Sequence, residues 1–178
     1  MISHIDKLVN QTVNIGEDFY KNITSLVTYN DTKDKVTLLR LFLKTYKSCA
    51  DYNSLLFICF SNDLTEKLFE ELNKREFRHH YHIDIWKETD RFIRDFEDIF
   101  KNFEAKMESK ECLFSELISG DFKANVIDIY EELNKIYAGM KFDNLDRFEV
   151  SIQEMLFHHL TFFEIILRGL ILTLKSQL

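Results

Sequence analysis

Apolar residues recur at steps of three and four along nearly the whole chain, the spacing that lines one face of an α-helix. Seven helical segments follow from it. The first covers residues 3–29, with Ile5, Val9, Val13, Phe19, Ile23 and Val27 on its stripe. Ser3 followed by Asp6 has the form of a capping box, with Asp where Glu is usual. Asn30-Asp31 breaks the pattern, and a second helix spans residues 32–60. Its face runs through Val36, Leu39, Leu43, Tyr46, Ala50, Phe57 and Phe60. The stretch from Leu55 to Phe60 is apolar all round, which predicts a central helix buried on most sides. Ser61-Asn62-Asp63 turns the chain into a third helix ending near Phe77. The fourth covers residues 84–107, with Ile85, Phe92, Phe96, Phe103 and Met107 inward and Arg91, Arg94, Asp98 and Lys101 outward. A short fifth covers residues 111–119 and closes on Gly120, a residue suited to a helix C-terminus. The sixth covers residues 121–138 and stops at Gly139. Asp143 caps the seventh, whose stripe continues through Phe148, Ile152, Met155, His159, Phe162 and Ile166.

Composition reinforces this pattern. The chain has no proline and only four glycines in 178 residues, too few for the turns of a sheet protein. Seventeen phenylalanines supply bulk for a core. No linker, repeat or biased tract divides the sequence, so the expectation is a single all-α domain over residues 1–178, a globular bundle of six to seven helices.

Charge then narrows the partners. A net charge of −7 disfavours broad electrostatic binding to DNA or to an anionic membrane. Residues 155–174 are strongly apolar but carry His158, His159, Glu164 and Arg168, which predicts a buried core helix rather than a membrane span. Cys49, Cys59 and Cys112 form no C-x-x-C pair and lie within apolar helical patterns, as buried free thiols of a reducing cytoplasm do.

Two groups carry residue types able to bind a metal. His79, His80 and His82 cluster at a helix junction and could bind a metal or a haem, as a sensor protein would, since imidazoles with carboxylates are the usual zinc and iron ligands. Glu154 and His158 lie one helical turn apart, with His159 beside them. Neither group has a complete ligand pattern, and no cofactor is expected. Phosphate-binding glycine loops, nucleophile elbows and zinc-finger spacings are absent from the sequence.

Two short stretches resemble known helical families. Arg75-Glu76-Phe77-Arg78-His79-His80 contains an R-x4-H arrangement that resembles the signature of HEPN ribonucleases, which are helical and usually dimeric. The resemblance implies metal-independent RNA cleavage at a homodimer interface. His80 would move the proton of a ribose hydroxyl and Arg75 would hold the phosphate. It covers residues 75–86 only, and about 90 residues follow the motif. The second stretch, residues 116–125, is similar to the first homology segment of Bcl-2 proteins, with Glu116, Leu117, Gly120 and Asn125 at matching positions. It implies a peptide-binding groove. The Trp-Gly-Arg of that family is replaced by Val126-Ile127-Asp128, so the groove arginine is missing. The leading expectation is a non-catalytic cytoplasmic regulatory protein that binds a protein partner, or itself, through apolar helical faces. RNA enters only with the ribonuclease resemblance.

Overall fold

A computed structural model describes residues 3–77, 83–107, 118–138, 142 and 144–178. These residues form eight α-helices and no strand. They are α1 (His4–Thr28), α2 (Lys35–Ser61), α3 (Thr65–Lys74), α4 (Ile85–Asp95), α5 (Glu97–Met107), α6 (Ile118–Tyr137), α7 (Leu145–Glu154) and α8 (Leu160–Ser176). A π-helical turn, Met155–His159, joins α7 to α8. The all-α expectation holds.

Local chemistry explains several boundaries. Ser3 caps α1: its hydroxyl accepts from the Asp6 amide at 3.1 Å and donates to the Asp6 carboxylate at 2.8 Å. Asp34 caps α2 by accepting from the Thr37 amide at 3.0 Å and from its hydroxyl at 2.6 Å. These bonds to the ionised form hold the Asp34 carboxyl below its ordinary pKa. The end of α2 is a Schellman closure, with Asp63 left-handed at φ 56°. The Leu64 amide donates to Cys59 O at 2.8 Å and the Asp63 amide to Phe60 O at 3.3 Å.

Helix α1 is the centre of the bundle, packed against α2, α3, α4 and α6. Helix α2 lies on α1 and α8 and turns its remaining side to solvent, which corrects the expectation of a central second helix. The reason lies in the hydroxyls of α2. Its buried face is Leu38, Phe42, Thr45, Ser48, Cys49, Tyr52, Leu56 and Cys59. Thr45 donates to Leu41 O at 2.8 Å and Ser48 to Lys44 O at 3.0 Å, so both enter the core with their polar atoms satisfied. Asn22 of α1 donates to the Ser48 hydroxyl at 3.1 Å across the seam.

The fourth predicted helix is two helices. Phe96 leaves helical geometry (φ −115°, ψ 32°) and the Ile99 amide donates to Phe96 O at 3.1 Å, a tightened turn. Arg91 holds α4 to the end of α1, donating to Val27 O at 2.7 Å and Tyr29 O at 3.2 Å. Helix α5 packs instead on α8. Helix α6 runs through Gly120, which therefore ends no helix. Asn144, not Asp143, caps α7 by accepting from the Arg147 amide at 3.0 Å. The predicted fifth helix (residues 111–119), apart from Ile118 and Ser119, lies outside the described residues, as do Gly139 and Asp143.

One apolar cluster runs from Val9 to Leu174. Its centre is a chain of rings: Phe92 meets Phe42, Phe96, Phe100 and Phe122, and Phe122 meets Phe163, with centroids 5.0–6.3 Å apart. By length and composition the continuous helical run Leu145–Ser176 could cross a membrane. Here Leu160, Phe163, Leu167, Leu170 and Leu174 are buried in the bundle, the core role expected from the sequence.

Candidate functional site

Arg75 sits at the C-terminal cap of α3 and is engaged within the fold. Its Nε donates to Glu71 Oε1 at 3.0 Å, Nη1 to Asn14 Oδ1 at 2.6 Å and Nη2 to Asn10 Oδ1 at 3.1 Å. The guanidinium thus fastens α3 to α1, spending three of its five N–H donors. His79, His80 and His82 lie outside the described residues, as do Cys112, Glu116 and Leu117. Gly120 and Asn125 both lie within α6, and Asn125 donates to Asp121 O at 2.8 Å, a bond within its own helix.

Glu154 and His158 stand at the π turn, both exposed. The turn contains one residue more than an α-helical turn, and the Leu160 amide reaches back to Met155 O. The extra residue rotates all that follows by about 100°. The predicted stripe through His159 and Phe162 therefore fails. Leu160 and Phe163 are fully buried, whereas Phe162 is exposed and His159 half-buried. His159 turns toward α6, with Nδ1 3.8 Å from Asp128 Oδ2. Asp128, Glu131, Glu132, Glu154, His158 and His159 line an open groove. Glu132 is committed there, accepting from the Ser151 hydroxyl and from Lys135 Nζ at 3.1 Å. Among the described residues no three His, Cys, Asp or Glu side chains converge as a metal site.

Cys49 and Cys59 are buried thiols. Cys49 Sγ donates to Leu160 O at 3.6 Å, and burial pushes its pKa well up; Cys59, 3.5 Å from the Thr12 hydroxyl, is raised by burial too. Burial thus favours the neutral thiol at both positions.

The most distinctive surface is the outer side of α2 and α8. These helices run antiparallel. Arg168 Nη2 donates to Tyr46 Oη at 2.7 Å, and Asn53 Nδ2 donates to Glu164 Oε2 at 2.9 Å. Phe60 meets Phe157 edge-on at 6.2 Å. Leu43 is one turn before Tyr46 and Leu172 one turn after Arg168, so they stand level. Phe57 and Phe157 stand level at the other end. Val36, Leu43, Phe57, Phe157, Ile165 and Leu172 are each 41–61% exposed. On α2, Val36, Leu43, Ala50 and Phe57 follow one another at seven residues, as do Ile165 and Leu172 on α8. From Leu43 to Phe57 the row is about 21 Å long. The sequence picked out this row of α2 correctly as apolar, yet placed it inside. The seven-residue interval does not separate it from a core face, because the buried positions Leu38, Thr45, Tyr52 and Cys59 repeat at the same interval.

Comparison with protein-family models, with curated proteins and with solved structures gives no match.

Proposed function

We propose that this protein is a non-catalytic interaction module whose α2–α8 face docks an amphipathic helix of a partner protein. The observation that carries this reading is the level pairing of exposed apolar residues on two antiparallel helices, repeated at seven-residue intervals. A face meant only for water carries charges at such positions, and scattered single leucines do not align. Two helices lying side by side leave a groove between them, and a third helix seats its own ridge there. Rows of apolar side chains spaced by two helical turns match a helix that shows one apolar residue at the same interval.

The test is a screen of the purified protein against a displayed library of amphipathic helices, with binding mapped by amide chemical shifts. Binders are expected to shift α2 and α8 resonances. The Phe57→Asp/Leu172→Asp variant, changed only at exposed positions and so altered little in stability, is expected to lose them. Binders that map to other faces, or a protein that selects none, would overturn the reading.

A further inference from the structure

The same face carries an unusual charge. In a chain of net charge −7, helices α2 and α8 hold six basic residues, Lys35, Arg40, Lys44, Lys47, Arg168 and Lys175, against two acids, Asp51 and Glu164. Glu164 already accepts from Asn53 at 2.9 Å. All but Lys35 of the six are exposed. Four of the six follow the apolar row. Arg40 and Lys47 alternate with Val36, Leu43 and Ala50 on α2, and Arg168 and Lys175 alternate with Ile165 and Leu172 on α8. The antiparallel register set by the Tyr46–Arg168 bond puts Lys47 level with Arg168 and Arg40 level with Lys175. Apolar pairs and basic pairs thus alternate along the groove.

Resting on the docking reading above, we infer that the occupant is an acidic amphipathic helix, with an apolar residue at every seventh position and Asp or Glu between. Carboxylates there would meet Arg40, Lys47, Arg168 and Lys175 while the apolar residues meet Leu43, Ile165 and Leu172. A second copy of this chain is the poorer occupant, because it would set basic pairs against basic pairs, and like charges brought together on docking oppose association.

The experiment titrates the full chain with three synthetic helical peptides that share leucines at every seventh position. They carry Glu, Gln or Lys at the intervening contact positions. Phosphatidylcholine–phosphatidylserine vesicles and sedimentation of the protein alone are the parallel arms. The Glu peptide is expected to bind at least about tenfold tighter than the Lys peptide, and to weaken as salt rises. An Arg40→Glu/Lys47→Glu variant is expected to reverse the order. Equal binding of all three peptides, or preference for Lys, overturns the acidic partner but leaves the docking face standing. Self-association through α2 and α8 in sedimentation does the same, with a second copy as the occupant. Binding to the vesicles with no binding to any peptide overturns both, and so does binding to nothing.

Discussion

At the scale of single residues, the fold depends on close approaches that a side chain elsewhere would block. Gly16 lets two tyrosines from other helices reach the backbone of α1. A Cβ there would lie 2.1 Å from Tyr137 Oη and 2.6 Å from Tyr52 Cε1. The Tyr137 hydroxyl donates to Val13 O at 2.9 Å in the space so left. Gly16→Ala is therefore expected to cost about 2–3 kcal/mol in chemical denaturation, against the usual gain from adding helix propensity. Thr89 gives the opposite case. It is fully buried on α4, and its hydroxyl has no hydrogen-bond partner among the described residues. Thr89→Val keeps the shape and removes the unpaired group, so the same measurement is expected to show a gain of about 1 kcal/mol. Neither effect is legible in the sequence. A glycine within a helix and a threonine on a stripe mark no environment until their neighbours from distant segments are known.

At the scale of elements, helices with a clean stripe were legible and those with a disguised one were not. The core face of α1 is legible in part: Val9, Val13, Phe19, Ile23 and Val27 are apolar and buried, whereas Ile5 is exposed and Thr12, Tyr20 and Thr24 complete the face. The core face of α2 hides behind Thr45 and Ser48, whose hydroxyls bond their own helix and then count as filling. The apolar row left over is the outer one. The break at Phe96 has no glycine or proline beside it. Its anchor is Arg91 on the carbonyls ending α1, a contact between segments more than sixty positions apart. The π turn is the sharpest case, since one extra residue shifts a stripe that otherwise reads as continuous. It also yields a test. Deleting exposed His158 removes the extra residue and brings Phe148, Ile152, Met155, Leu160 and Phe163 onto one plain α-helical stripe. The shortened protein is expected to melt within a few degrees of the parent by circular dichroism. Deleting Ile165, also exposed, rotates Ile166 through Leu174 out of the core and is expected to abolish the cooperative transition.

At the scale of the whole molecule, the core ties stability to alkaline pH. Tyr137 and Tyr52 are fully enclosed, and burial raises both phenols above their ordinary pKa near 10. A phenol whose folded pKa is raised contributes stability that is complete below its unfolded pKa. That contribution is lost as pH rises from there toward the folded value. Absorbance of phenolate and helical ellipticity are thus expected to change together above about pH 10, with two tyrosines ionising only as the helices melt. Ionisation of all seven tyrosines with helicity intact would contradict the enclosed pair. The candidate docking face belongs to this scale too. Its α2 row and its α8 row are each visible in the sequence, but their level pairing comes from the Tyr46–Arg168 and Asn53–Glu164 bonds, which no single-chain pattern encodes.

The placement of α8 has a consequence for how the chain comes into being. Helices α1 and α2 are joined by a short turn and can pair as soon as both exist. The carbonyl that covers the Cys49 thiol belongs to Leu160, 111 positions later. During synthesis the hairpin must therefore wait, half-clad, for most of the remaining chain to emerge. Until then the Cys49 thiol lacks its final partner. Burial of Cys49 is complete only when α8 arrives and closes over α2.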